Sequence, residues 1–342
     1  MDLATYFERQ KPMPGIVGIE KITFCYSAFT LVLALFFYHQ IDKGPSLILY
    51  RLLFAGITVL LWQFYKRFPC QITYAIRVFF QFSLLTYWYP DIYNFAKLMP
   101  NMDPLFAQMD QILFGCQPAI EFSKILSGRF WSELFYMGYF SYYILIIAII
   151  LWAFLKHPRR FDIITNIVLC SFLLYFFTFL FLQSAGPQFY YQRIGLENAS
   201  AGIFPPVHDW FRYHSQLIHD HVSSGLFCSL VEDAQKSEFP IAAFPSSHVG
   251  IATIIMILAH RMSKKLALVF SPFYIILCLS TVYIGAHYAV DVFGGWITAW
   301  IFIRISNKIY RTKFIHRPKE FDSLHRYGHH HHHSSHSQVI EK

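Results

Sequence analysis

Long apolar stretches recur along the whole of this 342-residue chain, and they constrain its fold more than any other feature. A helix needs roughly 20 mostly apolar residues to cross a bilayer. Eight stretches approach or meet this requirement. They lie at 22–38, 45–65, 71–89, 130–155, 163–182, 246–260, 267–284 and 287–304. The sequence therefore predicts an all-α fold, a polytopic integral membrane helical bundle with about eight spans.

Composition excludes several other classes of protein. Charged residues make up 14% of the chain and hydrophobic residues 55%, whereas soluble proteins carry about 25% charged residues. A soluble domain is therefore excluded. The 6 Cys residues are too few for a disulfide framework. The net charge of +8 does not indicate a nucleic-acid partner, because in a membrane protein the loops are the first explanation of positive charge.

The stretch at 71–89 is the weakest of the eight. Arg77 and Gln81 interrupt it, and Pro90 closes it. An ionised side chain at the centre of a bilayer costs about 2.5 to 3.5 kcal/mol on insertion scales. If this stretch crosses the membrane, we expect the Arg77 side chain to snorkel to the interface.

The loops between the apolar stretches differ in charge. Basic residues cluster at four places that an eight-span chain puts on one side: Lys66 and Arg67; Lys156, Arg159 and Arg160; Arg261, Lys264 and Lys265; and Lys308, Arg311, Lys313, Arg317 and Lys319. By the positive-inside rule this side is the cytoplasm, and both termini lie there. The loop at 183–243 carries three basic against six acidic residues, and it is predicted to face the periplasmic, extracellular or lumenal side.

The same pattern divides the chain into three parts. Residues 1–66 hold two N-terminal spans, residues 67–305 form a six-helix core, and residues 306–342 form a basic, His-rich cytoplasmic tail. Outer loops at 91–128 and 183–243 belong to the core. The first loop is broken by proline and glycine, so we expect it to form short amphipathic pieces at the outer interface.

Cysteines and scattered histidines in the outer loops carry weaker hypotheses. Cys116 and Cys228 lie in outer segments, where a disulfide is permitted but spacing does not decide it. The outer histidines lack a carboxylate-supported pair four residues apart, so no metal site is predicted at them. They are His208, His214, His219 and His221. The histidine run at 328–336 could bind a transition metal weakly, but an unstructured cytoplasmic segment is the preferred interpretation.

A first chemical motif lies at 244–250, which reads FPSSHVG. Pro245 followed by two serines predicts a helix start, because proline suits the first turn and serine caps it. The unpaired N–H groups and the positive dipole of a helix N-terminus favour phosphate. His248 would lie within that turn, close to a bound anion. The alternative is an ordinary capped helix whose histidine hydrogen-bonds at the interface.

A second motif contains His287 and Asp291, which are four residues apart. On a helix they would share one face, and the carboxylate would accept the proton of one imidazole nitrogen. The other nitrogen would then present a lone pair, as an oriented base or nucleophile requires. The alternative is that the two side chains merely satisfy each other. The predicted topology places His248 and His287 at the same outer face, which favours a shared site.

Together the two motifs resemble the signature of the type 2 phosphatidic acid phosphatase and haloperoxidase superfamily, K-x6-R-P, P-S-G-H and S-R-x5-H-x3-D. Pro245 to His248 match the second block, with serine in place of glycine. Ser280, His287 and Asp291 match the third block at the right spacing. The resemblance covers roughly 71–305 and implies that the six-helix core is the catalytic part.

The resemblance implies a role for each matching residue. His287 resembles the nucleophile that takes the phosphoryl group, and Asp291 the carboxylate that orients it. His248 resembles the acid that protonates the leaving oxygen. Ser246 and the backbone around Ser247 resemble phosphate-binding donors. The superfamily enzymes of this kind work without metal, so the resemblance implies no metal and no other cofactor.

Two departures concern the basic residues of the signature. Thr281 stands where the third block has a basic residue, and threonine is a poor substitute for a guanidinium on phosphate. The first block is replaced by SAGPQFYYQR at 184–193, in which Gly186 and Pro187 look like a variant of that block. Arg193 is therefore the candidate phosphate ligand. The alternative is that Arg193 is an ordinary outer-loop charge.

Loss of these basic residues, with FPSxH and HYxxDxxGG retained, is similar to the inositol phosphorylceramide synthase (inositolphosphotransferase) branch. The segments at 102–105 and 110–115 also resemble the outer segment of that branch. Those enzymes transfer a phosphorylated head group from one lipid to another alcohol. The expected function is a lipid phosphatase or phosphotransferase at the extracytoplasmic face, leaning to head-group transfer. Its partners would be a membrane phospholipid or other lipid phosphate and, for head-group transfer, a lipid alcohol acceptor.

Two alternatives stay open. Water could be the acceptor, which would make the protein a lipid phosphate phosphatase. In a different class of protein, a transporter or membrane scaffold, His248, His287 and Asp291 would form a proton relay. Geometry discriminates between the classes, since catalysis needs both imidazoles at one cavity and a relay needs polar groups across the bilayer. The sequence does not indicate the oligomeric state.

Overall fold

A computed structural model describes residues 3–41, 44–217, 225–312 and 315 of the chain. The regular elements within these ranges are helices, and the only bridge between extended residues there joins Asn101 and Gln183. The α-helices are α1 Gly18–Phe36, α2 Gly44–Arg67, α3 Gln71–Ser83, α4 Leu85–Ala96, α5 Asp103–Phe114, α6 Pro118–Ile125, α7 Arg129–Lys156, α8 Pro158–Phe179, α9 Pro187–Ile194, α10 Leu196–Ser200, α11 Trp210–Tyr213, α12 Leu226–Gln235, α13 Ser247–Met262, α14 Lys264–Tyr283 and α15 Ala289–Tyr310. Short 3-10 helices lie at Leu3–Phe7 and Tyr38–Gln40. The predicted all-α fold is confirmed.

Six of these helices are long and apolar enough to cross a membrane, which makes the chain a multi-pass membrane protein. They are α1, α2, α7, α8, α14 and α15. Helix α13 is apolar but has only 16 residues. The remaining predicted span, at 71–89, is not a single helix. The structure therefore supports six of the eight predicted spans and does not show eight.

The stretch at 71–89 is divided between α3 and α4 at Leu84. Hydroxyl groups at the junction bond to the backbone: Ser83 donates to the carbonyl of Phe80 at 2.8 Å and Thr86 to that of Ser83 at 2.7 Å. Such local bonds compete with a regular helix. The prediction of one continuous span here is corrected to two shorter helices.

Arg77 does not snorkel, because the bundle supplies its counter-charge. Its side chain and that of Glu20 on α1 are both fully buried, and their closest N–O distance is 2.6 Å. Two guanidinium nitrogens donate to the two carboxylate oxygens, which makes the pair bidentate. Glu20 lies 57 residues away in the sequence, so the apolar pattern around Arg77 could not reveal it.

Helix α13 packs against α7, α8, α14 and α15 and so lies inside the bundle. Its contact with α15 depends on glycine. A Cβ added at Gly295 would lie 2.7 Å from the carbonyl oxygen of Ser246, and one added at Gly250 would lie 1.6 Å from the hydroxyl of Tyr175. The glycine pair at 294–295 therefore lets the start of α13 lie directly against α15.

The two predicted outer loops fold into short helices. The end of α4, with α5 and α6, occupies 91–128, and α9 to α12 occupy the described part of 183–243. This agrees with the short pieces expected in the first loop. Cys116 and Cys228 are both free thiols, so the permitted disulfide is not formed. The Cys228 thiol instead donates to the carboxylate of Glu232 at 3.2 Å.

Candidate active site

The first motif begins α13, as its proline and serines predict. Ser246 is the N-cap, and its hydroxyl accepts a hydrogen bond from the amide of Val249 at 3.3 Å. The amide of Ser246 donates to the carbonyl of Asp291 at 3.0 Å, which joins the start of α13 to α15. Ser247 and His248 lie in the first turn. No described residue accepts a hydrogen bond from their amides, so both can serve an anion.

The second motif is not helical throughout, which corrects one expectation. His287 precedes α15, whose N-cap is Tyr288, and Asp291 is the third residue of that helix. The Asp291 carboxylate accepts the amide of Tyr288 at 2.9 Å and lies 3.3 Å from Nδ1 of His287. The two side chains therefore meet through a helix cap and not through a shared helical face.

The closest partner of His287 is one that the sequence did not indicate. Nδ1 lies 2.8 Å from the carbonyl oxygen of Ala243, which is closer than Asp291. Since a carbonyl oxygen can only accept, Nδ1 carries the proton, and Nε2 presents a lone pair. The carbonyl is held in turn, because the amide of Ala243 donates to the carbonyl of Ser184 at 3.1 Å.

The two histidines face each other. Nε2 of His287 lies 3.4 Å from Nδ1 of His248, and the ring centroids are 5.5 Å apart. The structure thus brings together residues 39 positions apart in the sequence. A distance of 3.4 Å leaves no room for a phosphoryl group between these nitrogens, so a phosphate must enter beside them or move the His248 ring.

Burial keeps the imidazole of His287 uncharged. The side chain is almost inaccessible, and this burial lowers the pKa of His287 to about 4, against the smaller opposing effect of the Ala243 hydrogen bond. The neutral ring therefore predominates at neutral pH. A neutral imidazole with a free lone pair is the form that can act as a nucleophile.

Two buried carboxylates on α5 support the loops around His287. Asp103 accepts the amides of Ala185 and Gly186 at 2.7 and 2.8 Å and the hydroxyl of Tyr288 at 2.9 Å. Asp110 accepts the amides of Ala289 and Val290, the first two residues of α15, at 2.8 and 2.9 Å. Burial raises the pKa of both carboxyls, that of Asp110 to about 6. Sequence analysis gave neither residue a role, although acids in a short apolar segment were a usable signal.

Comparison with known protein families agrees with this geometry. A sequence model of the PAP2 superfamily matches residues 106–305, which is more than half of the chain. The chain belongs to the PAP2 superfamily. The match includes His248, His287 and Asp291, and membership implies a phosphatase-like activity on phosphate esters. Searches of curated proteins and of solved structures gave no match.

Arg193, the candidate phosphate ligand, packs on a tryptophan. Its exposed guanidinium lies 3.9 Å from the ring centroid of Trp210, on α11. Thr281 is fully buried, and its hydroxyl donates to the carbonyl of Cys278 at 2.9 Å. In the described ranges, no lysine or arginine forms a hydrogen bond or ion pair with His248, His287 or Asp291. The role of Arg193 as a phosphate ligand stays a prediction.

Two tyrosines of α7 hold the ring of His248, and sequence analysis missed both. The ring centroids of Tyr139 and Tyr142 lie 4.6 and 4.4 Å from that of His248. They are three residues apart and share one face of the helix. Their signal was hidden because the chain contains 22 Tyr and 37 Phe.

Among the outer histidines, His214 packs on a tryptophan. His214 stacks on Trp210 with ring centroids 3.6 Å apart, and its Nδ1 lies 3.1 Å from the carbonyl of the same residue. His219 and His221 lie outside the described residues, as does the histidine run at 328–336. Within the described ranges, no three His, Cys, Asp or Glu side chains come together as metal ligands.

Proposed function

We propose that this PAP2 protein cleaves a phosphate ester of a membrane lipid through a phosphohistidine at His287. The observation that carries the proposal is the contact of the His287 lone pair with His248. A buried, neutral imidazole faces a second imidazole at the start of a helix with two unused amides. A proton relay would need polar groups that continue across the bilayer, whereas these groups converge on one point.

The proposed reaction has two displacements. Nε2 of His287 attacks phosphorus, and the bond from phosphorus to the leaving oxygen breaks while His248, which enters this step in its protonated form, gives its proton to that oxygen and becomes neutral. An acceptor hydroxyl then attacks the phosphohistidine, His248 takes its proton, and the nitrogen–phosphorus bond breaks. The carbonyl of Ala243 and the carboxylate of Asp291 keep the proton of His287 on Nδ1. Each proton transfer contributes about 10² to 10⁴ in rate.

The proposed acceptor is a lipid alcohol, as in head-group transfer of the inositol phosphorylceramide synthase type. This choice is supported by the sequence features that the chain shares with that branch. Water as acceptor is the alternative within the same mechanism. Products distinguish the two, because transfer needs a second lipid and hydrolysis does not.

The proposed location of the site is the extracytoplasmic face. The clusters at 156–160 and 261–265 meet at one end of the bundle, where Arg160 donates to the carbonyl of Arg261 at 3.1 Å. That end is the C-terminal end of α13, whereas His248 lies in its first turn. If the basic end is cytoplasmic by the positive-inside rule, the histidines open to the other side.

The test is turnover of labelled lipid phosphates by the purified full-length protein, with and without diacylglycerol or ceramide. His287→Ala should abolish product formation, because it removes the nucleophile. His260→Ala is the matched control, since His260 is an exposed residue at the opposite end of α13, and it should leave turnover unchanged. Retained turnover in His287→Ala would reject the assigned nucleophile. Equal product with and without a lipid acceptor would favour hydrolysis.

A further inference from the structure

Among the described residues, no lysine or arginine forms a hydrogen bond or ion pair with either histidine of the site. A phosphate group in a protein is commonly held by arginine or lysine through charge-assisted hydrogen bonds. Here Thr281 turns its hydroxyl to a backbone carbonyl, and Arg193 stacks on Trp210. Uncharged hydrogen-bond donors beside the histidines are therefore the candidates to contact the phosphoryl oxygens when His287 attacks phosphorus.

Tyr139 and Tyr142 are placed to be such donors. They are only 3% and 6% exposed, and their rings pack on His248. A buried phenol normally finds a hydrogen-bond partner. No described residue accepts a hydrogen bond from either hydroxyl, and neither oxygen is sealed from solvent. Both hydroxyls therefore remain available to a ligand beside His248.

Glu238 is the acidic member of the same cluster. It lies between α12 and α13, and its carboxylate accepts the side-chain amide of Gln188 at 2.9 Å. Its carboxyl group lies within electrostatic range of the hydroxyls of Tyr89, Tyr139 and Tyr143. The backbone amide of Gln188 donates to the carbonyl of Gly285 at 2.9 Å, two residues before His287. The carboxyl group is thus tied to the loop that carries the nucleophile.

No positive charge faces Glu238 in the described part of the chain. The nearest lysine in sequence, Lys236, is exposed and paired with Asp233 at 2.6 Å. The groups around Glu238 are the neutral amide of Gln188 and the tyrosine hydroxyls. Burial raises the pKa of Glu238 to about 7, so the carboxylic acid form is readily populated near neutral pH.

We propose that the hydroxyls of Tyr139 and Tyr142, together with the carboxyl group of Glu238, hold the phosphoryl group in place of the missing arginine and lysine. Each contributes one O–H donor, and the amides at the start of α13 add two N–H donors. This inference rests on the proposed function, because it concerns the phosphate of the same substrate. An ionised Glu238 would repel the phosphate, so binding favours the acid form and weakens as the pH rises through the pKa of Glu238.

The first test is binding of inorganic phosphate to the purified full-length protein in lipid nanodiscs, measured by calorimetry. A hydrogen bond to a charged group contributes about 1.5 to 3 kcal/mol. Tyr139→Phe and Tyr142→Phe should therefore each raise the Kd for phosphate by about tenfold or more. Tyr136→Phe is the matched control on α7, because its hydroxyl lies by Cys228 and Glu232, and it should change the Kd less than about twofold.

The second test compares Glu238→Gln with the unmodified protein at each pH, so that the titration of phosphate itself cancels. Gln mimics the neutral acid at every pH. The two proteins should bind phosphate equally below about pH 6, and the variant should bind more tightly above about pH 8. Glu197→Gln, an exposed residue of α10, is the control and should follow the unmodified protein.

Three results would overturn the inference: no binding of phosphate at millimolar concentration, unchanged Kd values in both tyrosine variants, or a Kd ratio for Glu238→Gln that is constant with pH. Turnover of lipid together with any of them would leave the proposed function intact. If phosphate binds with the expected dependence on these residues but no lipid phosphate is turned over, the proposed function fails and the phosphate site stands.

Discussion

Helices α1 to α4 and helices α13 to α15 both bury ionisable side chains, but they satisfy them differently. In the N-terminal region each buried charge has an opposite charge. Arg77 pairs with Glu20, and Arg51 pairs with Asp91, each at 2.6 Å. The Arg51 guanidinium also donates to the carbonyl of Leu47 at 2.9 Å. These pairs join α1 to α3 and α2 to α4.

The region around His287 contains no such pair of permanent charges in the described ranges. Asp103 and Asp110 accept mainly backbone amides, and their effect is to hold the loop at 185–186 and the start of α15. His287 and His248 contact each other through nitrogens that can exchange a proton. The neighbour of Nε2 of His287 is the imidazole nitrogen of His248, which can either carry a proton or lack one.

This difference separates structural from chemical use of buried polar groups. An ion pair in a low-dielectric interior is satisfied by its partner and is unavailable to a ligand. Imidazoles and hydroxyls that are not paired with an opposite charge keep hydrogen-bond donors and acceptors that a ligand can use. The N-terminal region is therefore expected to determine stability, and the α13–α15 region to determine activity.

The largest effect on stability is expected from Arg77→Met. It leaves Glu20 buried without a counter-charge, which should lower the free energy of unfolding by about 3 to 5 kcal/mol. The double variant Glu20→Leu, Arg77→Met should recover most of this loss, because no charge remains. Denaturation in detergent measures the free energy of unfolding of each variant. Lipid turnover per folded molecule should be unchanged in both variants, and a large loss of turnover would break the division between the two regions.

An intermediate effect is expected from Asp103→Asn. The Asn side chain has an NH2 donor where Asp103 has an acceptor oxygen, so it cannot accept all the hydrogen bonds from Ala185, Gly186 and Tyr288. The free energy of unfolding should therefore fall by about 1.5 to 3 kcal/mol. Turnover per folded molecule should fall as well, because the loop beside His287 loses its anchor. Asp209→Asn, at an exposed position, is the control. A stable but inactive Asp103→Asn protein would sharpen the comparison by making Asp103 a positioning residue.

The smallest effect near neutral pH concerns the proton of His287. Because burial lowers the pKa of His287 from 6.5 to about 4, NMR of labelled imidazole should show a neutral ring down to about pH 5. The unfolded chain takes up this proton below about pH 6.5 and the folded chain does not, so stability should fall as the pH drops from about 6.5 to about 4. If the His287 imidazole titrates near pH 6.5, the conclusion that burial keeps it neutral is wrong.

The apolar pattern predicted α1, α2, α7, α8, α14 and α15, because the length of an apolar run is enough to indicate a possible span. It was wrong about 71–89 as a single span, because the helix breaks at Leu84. It was also wrong about Arg77, whose counter-charge lies in a distant helix. For the site, spacing indicated His248, His287 and Asp291 but not Ala243, which is 44 residues from His287. A backbone carbonyl has no sequence signature, and Tyr139 and Tyr142 were hidden among many aromatic residues.

The sequence by itself determined that this chain is a membrane helical bundle and indicated which side chains are candidates for its chemistry. Both depend on residue type and on local spacing. The tertiary structure decided which groups meet: Nε2 of His287 with His248, Nδ1 with the carbonyl of Ala243, and Glu20 with Arg77. The physical reason is that contacts between distant segments follow from helix packing, here from the close approach of α13 and α15 at Gly295.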